Sequence, residues 1–522
     1  MRFNLMIILL FISLSLPSSG QSSFRVFDDF DIQARVNSDG ILFMDPGSAR
    51  PAFEFPKGSG KHVLFSSGLW IGGFDQAGAL HMAAQTYRYG ESDFWCGPLN
   101  ANSGIPFSPL LWDDLWQVSR SSVDYHKQNY NQNGYNIPSE ILEWPGSSYQ
   151  GIQQIIAPFA DTDHNGQYNP PAGDYPVIQG EDAVYFVFND LYSNHTQTSG
   201  LPLGIEVYAM AFQVFPDVQA LRNTVFVRYR IRNRSSYNYS NLRIGIFADL
   251  DIGNAFDDHY GTKVDRNLLY AENGDSLDGS GGAGEYGIFS PSAGVMLLSH
   301  RAEHSMAWYN HSLGNGNPSN LVANEYYRLM DGKWRDGVPL SFGGNGYQTG
   351  GVTTNFIYCG ESDPAHPGQN WFCDSAADYR GLISTGPLML SSGGHLTFDV
   401  AYTVAQGLPG QSTAQLFNYA DIIHGYYASS LSLGEEEVGF SEDGLRLFPN
   451  PAQNSIQLLF NGNVSREGRV CIIDPGGKVI LEYEMKNLGE RIDLSTLSPG
   501  IYVLMYTDLQ SENVYRMRFV KN

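Results

Sequence analysis

The chain of 522 residues carries 54 acidic against 31 basic side chains, a net charge of −23, and only 16% of it is charged. That balance excludes nucleic acid as a partner, because phosphates demand Lys and Arg, and it fits bound cations or plain solubility. The length allows about two or three domains with a substantial core. The 57 glycines and 13% aromatics suit a loop-rich, mostly β extracellular protein better than a helical cytosolic enzyme.

Residues 1–20 have the layout of a secretory signal peptide: Arg2, an apolar run from Leu5 to Leu16, then Pro-Ser-Ser-Gly ahead of Gln21, with cleavage expected near Gly20/Gln21. The run is too short to span a bilayer, and no other stretch is long and apolar enough to do so. Four cysteines follow, Cys96, Cys359, Cys373 and Cys471. An exported protein can form disulfides, and three pairings are open if all four cysteines pair. Cys359 and Cys373 share one polar, Gly/Pro-containing loop and are the expected pair, with Cys96 and Cys471 left unassigned. No Cys-x-x-Cys is present, which argues against zinc and thiol-redox chemistry.

Residues 21–432 read as one large β-rich body. Val184 to Phe188 and Ile205 to Phe215 have the continuous apolar character of buried strands. Val225, Val227, Tyr229 and Ile231 alternate with Arg228, Arg230 and Arg232, which predicts a strand with one basic face, read as a solvated face with ion pairs. Leu242, Ile244 and Ile246, and later Leu396, Phe398, Val400, Tyr402 and Val404, repeat the two-residue period. Strands separated by Gly, Asn and Pro turns predict a large antiparallel β-sandwich-like body with few helices. One helix is expected near the end of the body. Ser412 and Gln415 have the spacing of a capping box, and Leu416, Ala420, Ile423 and Tyr427 share one face. Trp70, Trp95 and Trp144 read as core or turn-packing aromatics.

An acidic stretch, residues 433–444, then forms a linker. Residues 445–522 open with Leu-Arg-Leu-Phe-Pro-Asn-Pro-Ala, containing Pro449, Asn450 and Pro451. Further on come Asp474-Pro-Gly-Gly-Lys-Val, with Gly477 and Lys478, and Leu497-Ser-Pro-Gly-Ile-Tyr, with Pro499, Gly500 and Tyr502. Both are turn chemistry between short strands: Pro fixes φ and Gly supplies positive φ. Ile456, Leu458 and Phe460 alternate as one buried strand face does. In order and spacing this module resembles the type A C-terminal sorting domain of proteins exported by the type IX secretion system of Bacteroidota, here read as a small β-sandwich. It departs from that pattern at Pro475-Gly476, ahead of the Gly-Lys pair. The resemblance implies the type IX machinery as partner, a secreted or outer-membrane-surface destination reached through the periplasm, and proteolytic removal of the domain near the linker. The body also resembles a group of uncharacterised cargo proteins of that route. The likeness runs through Gly68-Leu-Trp-Ile-Gly-Gly-Phe-Asp, Asp93-Phe-Trp-Cys-Gly-Pro-Leu, Glu143-Trp-Pro-Gly, Ala157-Pro-Phe-Ala-Asp, Gly173-Asp-Tyr-Pro, Asp378-Tyr-Arg and Ser384-Thr-Gly-Pro. It lends architecture and destination, with no assigned activity.

Two acidic segments carry the chemistry. In the first, Asp161, Asp163 and Asn165 take the first, third and fifth places of a calcium loop, Gly166 makes the sharp turn and Gln167 offers its carbonyl. Alternate spacing suits a hard cation, which needs several oxygens converging from one tight turn. The twelfth place is Ala172, so this is not an EF-hand, and Asp174, or Glu181 and Asp182, would close the shell. In the second, Asp249 and Asp251 directly follow a strand, with Asp257, Asp258 and Asp265 beyond and Asp275 and Asp278 in the continuation. Clustered carboxylates repel unless a cation or solvent compensates, so structural calcium is expected here too. The rival reading of this segment is a glycosidase-type carboxylate pair.

No His-Glu-x-x-His, Gly-x-Ser-x-Gly or Walker loop is present, and Gly279-Ser-Gly-Gly-Ala-Gly lacks the strand–helix frame of a dinucleotide site. The leading expectation is therefore a secreted or cell-surface, calcium-stabilised protein without catalysis, adhesive, structural or binding a glycan or protein ligand. The alternatives are a secreted hydrolase acting on polysaccharide or peptide, and a component of outer-surface machinery.

Overall fold

The computed structural model describes residues 22–87, 90–214, 217–309 and 322–428, then 444–448, 452, 454–461, 468–473, 479–485, 491–498, 500–508 and 514–521. The expected signal peptide, linker residues 433–443, and Pro449, Asn450, Pro451, Gly477, Lys478 and Pro499 lie outside them. The chain divides into two compact units, Met1–Glu435 and Glu436–Asn522.

Two antiparallel sheets dominate the first unit. Their strands, in chain order, are β1 (Ser66–Phe74), β2 (Leu80–Ala84), β3 (Trp116–Ser119), β4 (Asp182–Asn189), β5 (Ile205–Gln213), β6 (Thr224–Asn233), β7 (Tyr239–Asp249), β8 (Asp258–Lys263), β9 (Leu268–Asn273), β10 (Ser292–Leu297), β11 (His304–Tyr309), β12 (Tyr379–Leu390) and β13 (His395–Ala405). The larger sheet is nine-stranded, ordered β3-β4-β5-β6-β13-β10-β9-β8, with Trp95–Cys96 pairing the far end of β4. The smaller is five-stranded, ordered β11-β12-β7-β1-β2. Side chains of both sheets share one core, where Trp70 of β1 stacks on Phe247 of β7 at 5.8 Å and meets Tyr326 edge-on at 4.7 Å. Across the sheets, the Ser67 and Tyr402 hydroxyls lie 2.9 Å apart. The body is thus the expected mostly β, sandwich-like fold.

The strands β4 and β5 are buried along their whole length because a further layer covers their outer face. Residues between the Trp95–Cys96 strand and β4 supply it: Trp144 and Trp116 pack on Tyr185, and the Tyr185 hydroxyl donates to Ile156 O at 2.7 Å. Both acidic stretches are positioned by this framework, one in the covering layer and one at the ends of β7 and β12. On the basic face of β6, register sets Arg228 opposite Asp399 of β13, which accepts from its Nε at 2.9 Å and its Nη2 at 3.0 Å.

Four helices matter here: α1 (Arg120–Asn129), α2 (Ser139–Leu142), α3 (Ala323–Met330) and α4 (Ser412–Tyr426). The last buries Leu416, Ala420 and Ile423 as expected, but its start differs. Gln411 holds the cap position and Ser412 is the first helical residue. Instead of capping the first turn, the Ser412 hydroxyl donates to Ser290 O at 2.7 Å, so a tertiary partner displaces the local one.

The disulfide expected between Cys359 and Cys373 is not formed, and all four cysteines are thiols. The reason is register. An antiparallel bridge joins Gly360 to Trp371, which sets Phe372 rather than Cys373 across from Cys359. The Cys373 thiol is turned to Ser375 O at 3.3 Å, and burial pushes the Cys359 thiol up to about 12. Titration of the unreduced, denatured chain with a thiol reagent is expected to count four thiols; a count of two would restore the bridge.

In the second unit, strands β14 (Gly444–Phe448), β15 (Ser455–Asn461), β16 (Gly468–Ile473), β17 (Val479–Met485), β18 (Arg491–Asp493), β19 (Gly500–Asp508) and β20 (Val514–Lys521) form a three-stranded sheet, β14-β15-β18, and a four-stranded one, β17-β16-β19-β20. Ile456 and Leu458 are buried on one face of β15. Gly500 opens β19, and buried Tyr502 stacks on Phe519 at 5.7 Å with its hydroxyl donating to Ser498 O at 2.8 Å.

Candidate metal centre

The first acidic segment closes on itself because short strands on either side pair, Ala160 opposite Tyr175. That register brings Asp174 back beside Asp161, although thirteen positions separate them in sequence. The carboxylates of Asp161, Asp163 and Asp174 each place an oxygen within 4.8 Å of the others. Backbone N–H groups fix their directions. Asp161 accepts from Asn165 at 3.0 Å and Gly166 at 2.8 Å, while Asp174 accepts from Thr162 at 2.7 Å and Asn169 at 2.8 Å. The turn itself needs the left-handed backbone of His164 and Gly166, at φ 59° and 75°. The Asn165 side-chain oxygen accepts from Gln167 N at 2.6 Å, and Ala172 sits in a short 3₁₀ turn remote in role from a ligand. Asp174 is fully buried, and its carboxyl is pushed up first by that burial and then by the charges of Asp161 and Asp163. Glu181 and Asp182 do not complete this group. Asp182 accepts instead from Gln117 Nε2 at 2.8 Å, and burial pushes its carboxyl up to about 6. The donor set is all oxygen, rigidly aimed and anionic, which fits a hard dication.

The second segment is arranged differently. Asp249 and Asp251 are joined by Asp378, each placing an oxygen within 4.8 Å of the others. Into this group projects Arg380, because Ala248 of β7 pairs Gly381 of β12 and so aligns the two strand ends. Arg380 Nη1 lies 2.8 Å from Asp249 Oδ1 in an off-line ionic contact and pairs closely with Asp378. The Tyr87 hydroxyl donates to Asp249 Oδ2 at 2.8 Å, and the Arg380 guanidinium lies 5.5 Å from the Tyr87 ring centre. Burial pushes the Asp249 and Asp251 carboxyls up, Asp251 further because Asp249 lies beside it. A guanidinium already occupies the centre of charge, so this group fits a dication poorly.

The remaining acidic residues of that segment act locally. Asp257 accepts from the Asn254 side chain and from Gly279 N, both at 2.8 Å, and Asp258 accepts from Ile252 N at 2.8 Å. Asp278 accepts from Asn254 N at 2.9 Å and from Tyr286 N. Asp265 stands apart on a 3₁₀ turn, paired with Lys263 at 3.2 Å and Arg266 at 2.9 Å. Asp378, Arg380 and Tyr87 were not legible as site residues. The only signal was the Asp-x-Arg spacing at 378 and 380, which puts both side chains on one face of an extended chain.

Residues 446–521 match the family described as secretion system C-terminal sorting domain. No curated protein matches the chain. Among solved structures, the polysaccharide lyase BACCELL_00875 is 6% identical, with 60% of this chain and 34% of that chain covered and a TM-score of 0.18. PorZ of Porphyromonas gingivalis, described as an essential bacterial surface component of the type IX secretion system, is 9% identical, with 95% of this chain and 75% of that chain covered and a TM-score of 0.12. Neither overlay is close enough to bear on fold or site. Among the described residues no helix is long and apolar enough to cross a membrane. The match to the sorting family over residues 446–521 supports the chain as a cargo protein of the type IX secretion route.

Proposed function

We propose that this cargo is a secreted or cell-surface protein without catalysis, adhesive, structural or ligand-binding in role, whose body is stabilised by calcium held in the 161–174 loop. Asp161, Asp163 and Asp174 supply carboxylates, Asn165 its amide oxygen and Gln167 its main-chain carbonyl. The observation that carries the reading is Asp174: a carboxylate with no solvent exposure, set against two others. Two main-chain N–H groups offset part of that burial, and a cation would offset the repulsion among the three carboxylates. Export in this reading begins with the signal peptide, residues 1–20, and the sorting domain engages the type IX machinery before removal near residues 433–444.

The hydrolase reading is weaker at the second acidic group. Asp249 is fully buried and already engaged by Arg380 and Tyr87, so it has no surface to offer a substrate. Thermal unfolding of the chain from Gln21 onward tests the proposal. Calcium at about a hundred times its dissociation constant should add about 2.7 kcal/mol if it binds the folded state alone. An unchanged melting temperature on adding chelator, or turnover of polysaccharide or peptide by the purified chain, would defeat it.

A further inference from the structure

A second feature of the covering layer has no part in calcium binding. An open cleft of about 420 Å³ lies beside β3, walled by α2 and the residues that follow it. That volume falls within the range of ligand sites in proteins, roughly 300–1,000 Å³. Its lining includes Arg25, Asp114, Gln117, Glu140, Glu143 and Tyr149.

Among the described residues, β3 is the edge of the nine-stranded sheet and pairs only with β4 on its inner side. The ladder fixes which main-chain groups are spoken for. Arg120 N donates to Glu181 O, so the pairs 118–183 and 116–185 share its hydrogen-bonding parity. Gln117 and Ser119 therefore turn their N–H and C=O outward. At Ser119 the outward N–H is met by the Glu140 carboxylate at 3.4 Å. Gln117 lines the cleft, and by this parity its N–H and C=O lie on the side away from β4, a donor and an acceptor spaced for one residue of an added strand.

The charges around that edge are unequal. Asp114, Glu140 and Glu143 face it with Arg25 as the basic member of the lining. Asp114 is held in place by the Tyr149 hydroxyl, which donates to its Oδ2 at 2.7 Å. Tyr149 and the exposed Leu142 add an apolar strip to the wall. An anionic sugar or an acidic peptide would meet net repulsion here, whereas a basic side chain would gain a charge-assisted partner.

We propose that this cleft binds an extended peptide segment bearing Lys or Arg, which adds to the sheet through the main chain of Gln117 and sets its basic side chain among Glu140, Glu143 and Asp114. The proposal stands independently of the calcium loop. Its test is a random heptapeptide display library panned against the full chain in calcium. Enriched peptides should carry Lys or Arg, and a synthetic copy should lose at least tenfold in affinity when that residue becomes Gln. The same loss is expected with Glu143→Gln in the protein, a substitution of an exposed side chain that should leave the melting temperature unchanged. A further tenfold loss should follow N-methylation of the peptide residue that pairs Gln117, which leaves the protein untouched. No enrichment, enrichment of acidic or neutral peptides, or affinity indifferent to Glu143→Gln and to N-methylation would overturn the proposal. So would binding of an uncharged oligosaccharide that Glu143→Gln abolishes, since it would assign the cleft to sugar.

Discussion

Replacing Arg380 by Met is expected to cost the body about 3–5 kcal/mol, the loss typical of removing one partner from a buried ion group. Arg380 is the cation among Asp249, Asp251 and Asp378, and its guanidinium is itself buried. Without it, burial and mutual repulsion act on three carboxyls at once. The loss should depend on pH in a defined sense. A carboxyl whose folded pKa is raised above its unfolded value weighs against folding only once it must ionise. The deficit of the variant should therefore be largest near neutrality and shrink as the pH falls through the raised values of Asp249 and Asp251. A double variant, Arg380→Met with Asp249→Asn, should recover part of the loss, because the two share one interaction. Urea unfolding at pH 8 and pH 5 measures all of this. Equal losses at both pH values would show that packing, rather than charge, gives Arg380 its weight.

Asp163→Asn is expected to reduce or abolish the stabilisation by calcium while leaving the chelated protein within about 0.5 kcal/mol of the parent, as is usual for exposed positions. Asp163 is exposed, and the partner of its Oδ2 is the neighbouring Asn165 amide at 2.8 Å, so little of the apo fold rests on it. In calcium the same change removes a charged ligand, and up to about 2.7 kcal/mol is at stake at a hundredfold excess over the dissociation constant. The contrast between the two conditions separates a ligand from a merely structural carboxylate. Asp174→Asn would blur it, since Asp174 also accepts two main-chain bonds that hold the loop in any state.

Much of the fold was legible because sheet patterning is local. The alternation from Val225 to Ile231 and from Leu396 to Val404 reports strands, and those residues lie in β6, whose arginine face is the less covered one, and in β13, which is buried on both faces from Phe398 onward. The 161–167 spacing was legible for the same reason, as all its members come from one turn. Contacts set by pairing between distant strands were not. Arg380 reaches Asp249 only because β7 and β12 align across more than a hundred residues of sequence. The cysteine pair failed for a related reason: proximity in sequence does not fix register, and the bridge at Gly360 and Trp371 is one step out. Ser412 misled in a third way, since a good capping residue found a better partner in Ser290 than in its own helix.

The most direct test of the central claim is calorimetric titration of calcium into the chelator-stripped chain, counting sites. One calcium per chain is expected, abolished by Asp161→Asn with Asp163→Asn and untouched by Asp251→Asn. No binding, or a site that survives the first pair of substitutions and disappears with the second, would contradict a calcium loop at 161–174.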